Sequence, residues 1–148
     1  DNEPYLIEYN VRMGDPECQV IMPRLKTDLV KILKASMENK LHKLQIKWTT
    51  KKCMTIVLCS KGYPKKQINN KEINLKHITS SKRFFIFHAG TKIKDGLLFS
   101  NGGRVLNIVV LGNTFLKIRN EILKIINKIN WKFGFFRKDI GWRIINRK

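Results

Sequence analysis

Glu8, Asn10 and Arg12 stand two residues apart near the start of a 148-residue chain. Spacing by two puts side chains on one face of a β-strand. A strand over residues 5–13 therefore presents a carboxylate, an amide and a guanidinium in a row, about 6–7 Å apart at each step. Ile7, Tyr9 and Val11 form its other, apolar face, which is expected to pack. Gly14-Asp15-Pro16 then breaks the strand, since Gly and Asp-Pro favour turns, and the turn delivers Asp15 and Glu17. Carboxylate and amide oxygens are hard ligands suited to Mg²⁺ or Mn²⁺. Mg²⁺ is commonly held by one or two protein oxygens, with substrate phosphates and water completing its shell. Glu8 and Asn10 fit that task, and Arg12 fits bidentate contact with a phosphate or carboxylate. The spacing fits equally a solvent-facing edge strand whose polar face is merely wet.

The elements that would hold this row follow along the chain. Leu25, Leu29, Ile32, Leu33 and Met37 recur at helical spacing, which predicts a helix over residues 23–38 with Pro23 in its first turn. That helix should pack on the sheet containing the opening strand, and Asn39-Lys40 should end it. From residue 41 the periodicity changes. Leu44, Ile46 and Trp48 alternate with polar residues as in a half-buried strand, and residues 53–59 are almost continuously apolar, as in a central strand. Lys61-Gly62-Tyr63-Pro64 is a turn and residues 65–76 a polar loop, with a short strand at 73–78. Further strands are expected at 83–89, 97–99 and 104–111. Asn101-Gly102-Gly103 reads as a hairpin turn using glycines at positive φ. Gly112-Asn113-Thr114 starts an amphipathic helix marked by Phe115, Ile118, Ile122, Ile125, Ile126 and Ile129. The tail from Trp131 to Lys148 is aromatic and basic.

The switch from helical to strand periodicity sets a boundary, with residues 1–42 carrying strand, turn and helix. Residues 43–148 should form an α+β domain with a mostly antiparallel sheet and one long helix. Apolar content of 43% suffices for a core, and no run of about 18 apolar residues suggests a membrane-spanning helix. The formal net charge is +19. The basic residues are mostly Lys, scattered through every segment, which favours compositional bias over a nucleic-acid surface; specific nucleic-acid binding is not expected. Cys18, Cys53 and Cys59 form no Cys-x-x-Cys pair and suggest reduced thiols. His42, His77 and His88 are isolated in sequence.

Glu8-Tyr9-Asn10 followed by Arg12-Met13-Gly14-Asp15-Pro16-Glu17-Cys18-Gln19 resembles the end of the catalytic domain of an ATP-grasp ligase. The Arg-x-Gly-Asp-Pro-Glu-x-Gln run is similar to the signature of the glycinamide ribonucleotide synthetase (phosphoribosylamine–glycine ligase) family. Met13 stands where that signature usually has Phe or Leu. Val57-Leu58-Cys59-Ser60-Lys61-Gly62-Tyr63-Pro64, Phe87-His88-Ala89-Gly90-Thr91, Asn101-Gly102-Gly103-Arg104-Val105-Leu106 and Arg137-Lys138-Asp139-Ile140-Gly141 follow in the family's order. Lys65-Lys66-Gln67 and Asn107 depart from it, each standing where a Gly is common.

The resemblance implies the last third of an enzyme of purine biosynthesis. Residues 1–42 would be the C-terminal end of the ATP-grasp catalytic domain, and residues 43–148 the ligase's C-terminal domain. ATP, glycine and 5-phosphoribosylamine are the implied substrates, with Mg²⁺ or Mn²⁺ as cofactor and a cytoplasmic setting. Glu8 and Asn10 would be metal ligands. Arg12 would steady phosphoryl or acyl-phosphate oxygens, while Asp15 and Glu17 would shape the site for the amine-bearing substrate. The glycine-rich turns, and Arg104, Arg137 and Asp139, are read as structural. The N-terminal lobes of the same polypeptide are the expected partners, and these residues alone are expected to be inactive. Another ATP-grasp carboxylate–amine ligase and a basic nucleic-acid-binding module are the alternatives.

Overall fold

The computed structural model describes residues 3–79 and 81–146, so the last two positions of the basic tail lie outside the described residues. Its centre is two long antiparallel strands, β1 (Lys52–Ser60) and β5 (Arg104–Gly112). β2 (Phe84–His88) pairs with the far side of β5, and the two-residue β6 (Gly134–Phe135) with the far side of β1, so the sheet order is β2-β5-β1-β6. Every pairing is antiparallel. β3 (Thr91–Lys94) and β4 (Leu97–Ser100) form a separate hairpin.

Alternation in β1 sends Met54, Ile56 and Leu58 to one face, matched across the ladder by Val110, Ile108 and Leu106. The long helix α3 (Phe115–Lys128) covers that face with Ile118, Ile122, Ile125 and Ile126, the spacing of a single apolar stripe. Its first turn is closed by Thr114, whose hydroxyl accepts the Lys117 N–H at 3.4 Å. Arg119 turns away from the core and donates to the backbone carbonyls of Lys138 and Ile140, tying the tail to the helix. The tail ends in the short helix α4 (Trp142–Ile145).

Several sequence expectations change here. Residues 3–14 form no β-ladder: Tyr5, Ile7, Tyr9 and Val11 are 81%, 92%, 84% and 100% exposed. A strand needs a hydrogen-bonded neighbour for its N–H and C=O groups, and no described strand lies beside this segment. The helix expected over 23–38 is broken. A short helix α1 (Cys18–Ile21) runs into a 3-10 turn at Met22–Arg24 holding Pro23. Leu25 then extends to bridge Trp48, and the helix α2 (Leu29–Met37) starts only after Asp28, which accepts the Lys31 N–H at 3.1 Å. Asn39 (φ 55°) closes it, with Lys40 N–H donating to Ala35 O and Asn39 N–H to Ser36 O. None of its residues is buried, so its apolar stripe does not pack on the sheet.

The strand expected at 44–48 is reduced to the Leu25–Trp48 bridge, and that at 73–78 to bridges at Glu72 and Asn74. The hairpin turn is Asp95-Gly96, both at positive φ (51° and 74°), joining β3 to β4. Asn101-Gly102-Gly103 instead carries the chain from that hairpin into the main sheet, and neither glycine has positive φ.

Candidate functional site

The expected ligand pair lies on the extended segment before α1. Asn10 Nδ2 donates to Glu8 Oε1 at 3.0 Å, so the two side chains meet on one side of the chain as period two requires. The bond uses the amide nitrogen and one carboxylate oxygen. The Asn10 carbonyl oxygen and the second Glu8 oxygen remain as hard donors. Among the described residues, no three His, Cys, Asp or Glu side chains gather as a metal cage. Two oxygens with open positions fit a cation of the Mg²⁺ type, which keeps water and substrate phosphate in its shell. Arg12 is exposed on the same segment.

The next residues are tightly organised. Cys18 N–H donates to Gly14 O at 2.9 Å, closing the turn that starts α1. The Glu17 carboxylate folds back over Gly14, where a β-carbon would stand 2.1 Å from Glu17 Oε2. Asp15 is held by three donors. Arg104 Nη1 reaches its carbonyl oxygen at 3.0 Å, Arg104 Nη2 its Oδ2 at 3.1 Å, and Gln19 Nε2 its Oδ1 at 3.1 Å. The turn is thereby fastened to the first residue of β5. Glu17 and Asp15 both face the turn, while Glu8, Asn10 and Arg12 project beyond it.

Three of the remaining family-like blocks, at 57–64, 87–91 and 101–106, converge on this fastening. Ser60 N–H donates to Gly103 O and Ser60 Oγ to Gly102 O, each at 2.8 Å. Gly102 N–H donates to Asn69 Oδ1 at 3.0 Å. Gly103 lies under the Tyr63 ring, and a β-carbon there would fall 2.1 Å from Tyr63 Cδ2. Gly90 is pressed between Arg104 O and Gly102, at 2.8 and 2.9 Å from a β-carbon position. These glycines serve close backbone approach, in keeping with their structural reading. Arg137 and Asp139 pair locally and bidentately, at 3.1 and 2.6 Å. Hydrogen bonding from Arg137 is the main cause that holds the Asp139 carboxyl below its ordinary range.

The sheet face opposite α3 carries an apolar cavity of about 460 Å³ beside the turn, lined by Pro16, Val57, Cys59, Tyr63, Phe135 and Ile140. Burial raises the Cys59 thiol above its ordinary value, with the Arg104 charge acting in opposition. On β1 and β5 the Thr55 hydroxyl and the Asn107 side-chain carbonyl are buried without a partner, and so is the Gln19 carbonyl on α1. Asn107 is 1% exposed, with Val57 and Phe87 as its ladder neighbours. Residue types and local spacing pointed to Glu8, Asn10, Arg12, Asp15 and Glu17. They gave no sign that Arg104 would hold Asp15, because that contact spans 89 positions, whereas Gln19 reaches it from only four positions on.

Residues 53–143 match the family profile described as "Phosphoribosylglycinamide synthetase, C domain". The phosphoribosylamine–glycine ligase of Agrobacterium fabrum is 47% identical over 146 residues, covering 98% of this chain and 34% of that protein. The enzyme of the same name from Mesorhizobium japonicum is 40% identical over the whole chain and 35% of its own length. The crystal structure of the phosphoribosylamine–glycine ligase of Thermotoga maritima superposes with a TM-score of 0.73 at 30% identity, over 94% of this chain and 34% of that one. The chain thus spans about a third of the length of the relatives it matches.

Proposed function

Because the chain belongs to the phosphoribosylglycinamide synthetase C-domain family, we propose that it works as part of a phosphoribosylamine–glycine ligase of purine biosynthesis. The reaction joins glycine to 5-phosphoribosylamine at the expense of ATP, in the cytoplasm. Residues 1–42 supply the C-terminal end of an ATP-grasp catalytic domain and residues 43–148 the C-terminal domain that carries it. The observation that supports this best is the fastening of the Arg12–Gln19 signature, through Asp15, to Arg104 at the head of the family's sheet.

A carboxylate is a poor electrophile, since its charge repels an amine and oxide is a poor leaving group. Glycine's carboxylate attacks the γ-phosphorus of ATP, giving glycyl phosphate and ADP. The amine of 5-phosphoribosylamine then adds to the acyl carbon, phosphate leaves with the bonding pair, and the amide forms. No protein nucleophile is needed. Catalysis is positioning plus neutralisation of phosphate charge.

Glu8 and Asn10 would hold a divalent cation, Mg²⁺ or Mn²⁺, through the two oxygens left by their mutual bond. Such a cation neutralises phosphate oxygens when bound. Arg12 supplies a fixed positive charge to the transferred phosphoryl group or the acyl phosphate. Glu17 and Asp15 shape the floor on the amine side, Glu17 lying over Gly14 and Asp15 being oriented by Arg104 and Gln19.

The test is a chimera in which this chain replaces the matching third of the Agrobacterium fabrum ligase. ADP release should require both glycine and 5-phosphoribosylamine. Release driven by formate, bicarbonate or another carboxylate would move the chain to a different ATP-grasp ligase. The 148 residues alone should release no ADP, since they match only 34% of that ligase's length.

A further inference from the structure

Arg104 is rooted more firmly than a surface arginine ordinarily is. Its backbone carbonyl accepts the Gly90 N–H at 2.9 Å. The two residues before it are clasped by Ser60, Asn69 and the Tyr63 ring. Three separate stretches of the chain, at 60–63, 69 and 90, thus fix the base of one side chain. Its guanidinium then makes a fork to a single distant residue: Nη1 to the carbonyl oxygen of Asp15 at 3.0 Å and Nη2 to the Asp15 carboxylate at 3.1 Å.

Among the described residues, this fork is the first hydrogen bond to the sheet met on passing from Tyr5; the Gly14 carbonyl before it accepts only from Cys18 N–H, within the turn. The segment before it holds only the Glu8–Asn10 bond within itself. The direction in which Arg12, Asn10 and Glu8 leave the sheet is therefore set where Asp15 is gripped. We propose that Arg104 is a positioning residue that aims the Glu8–Asn10–Arg12 row, through the backbone and side chain of Asp15. The functional arm of this inference rests on the ligase reading; the structural arm does not.

Two features separate this role from a plain ion pair. A planar fork can meet a carbonyl and a carboxylate together, whereas an ammonium is a compact point charge. One prong, moreover, goes to an uncharged backbone oxygen. Neutralising Asp15 leaves that prong in place, and so does salt, which screens charge far more than it breaks a neutral hydrogen bond. The effects should rank Arg104→Met first, Arg104→Lys second and Asp15→Asn least. An ion pair alone makes Asp15→Asn equal to Arg104→Met, with both effects vanishing in high salt.

Amide hydrogen exchange on the 148-residue chain tests the structural arm, with β1 and β5 amides as the internal check of folding. Arg104→Met should accelerate exchange of the Cys18, Val20 and Ile21 amides at least tenfold while β1 and β5 stay protected. Should Arg104→Met unfold the sheet, Arg104→Lys and Asp15→Asn decide by the same ranking. Turn amides unmoved by any of the three variants, or Asp15→Asn equal to Arg104→Met, would overturn the inference.

In the chimera, Arg104→Met should lower kcat by roughly ten- to a hundredfold, the cost of a misplaced reacting group, with KM for ATP unchanged. Arg104→Lys should recover part of that loss. A fall confined to KM, or no fall, counts against positioning. A wild-type chimera without ligase activity would sink the ligase reading and leave the exchange result to decide the fork.

Discussion

Gly103 carries the Tyr63 ring where a β-carbon would otherwise stand, at 2.1 Å from Tyr63 Cδ2. Alanine there must push the ring outward or lift the Asn101–Arg104 strap, at a cost of about 1–3 kcal/mol, the usual range for overpacking. In urea unfolding, Gly103→Ala should lower the midpoint, and Gly103→Ala with Tyr63→Ala should cost less than the two changes summed, because the clash is gone. Strict additivity would mean that the ring is not what the glycine accommodates. At this scale the sequence disclosed chemistry better than contact. Glu8 and Asn10 could be paired from period two alone, and they do meet. The glycines could be assigned to structure, but not to close approach, because that depends on Tyr63, Ser60 and Gly90 arriving from elsewhere. Asp15 is named by its place in the signature, yet its partner Arg104 is 89 positions away.

The two longer helices differ in what lies behind them, although both begin with a capping oxygen. Thr114 caps α3, whose isoleucines are in the core; Asp28 caps α2, which buries none of its residues. Loss of either cap costs about 1 kcal/mol locally. Thr114→Ala should therefore shift the global unfolding midpoint, while Asp28→Ala should fray residues 29–37 in hydrogen exchange and leave that midpoint nearly unmoved. Equal global shifts would contradict this division. Helix α3 was legible because cap, stripe and burial all agree. Helix α2 was misplaced because Leu25 fits the same stripe, and the Leu25–Trp48 bridge took it out of the helix. Asp95-Gly96 is a hairpin dipeptide of the most recognisable kind, and it, rather than Asn101-Gly102-Gly103, makes the hairpin turn. Strands 52–60 and 104–112 were readable because their apolar runs are buried on at least one face, and 84–88 because half-buried Phe84 and Ile86 pack against that core. The 44–48 strand was not, because its alternation finds no ladder, only one bridge.

The whole molecule is an α+β sheet-and-helix body bearing a polar row on an extended arm. Its charge of +19 is spread over that body. Arg83, Lys117, Lys124 and Lys128 line one groove between β2 and α3, together with Glu121. That groove is distant in sequence from the signature, and the positive charge bears on solubility and polyanion affinity rather than on the fold. Among the described residues no helix is long and apolar enough to cross a membrane. The architecture was readable in outline because one sheet and one helix hold most of the buried side chains. The arm was not, since its apolar face of Ile7, Tyr9 and Val11 is covered by nothing among the described residues.

Whether Glu8 and Asn10 hold a divalent cation for an ATP-dependent ligase, as proposed, is tested most directly by Glu8→Ala in the chimera with the Agrobacterium fabrum ligase. Steady-state ADP release is measured against Mg²⁺ concentration, with glycine and 5-phosphoribosylamine saturating. If Glu8 holds the cation that neutralises phosphate charge, its loss removes several kcal/mol of transition-state stabilisation, so turnover should fall on the order of a thousandfold and not recover with added Mg²⁺. Turnover within a fewfold of the unmodified chimera, at the same Mg²⁺ requirement, would contradict the account.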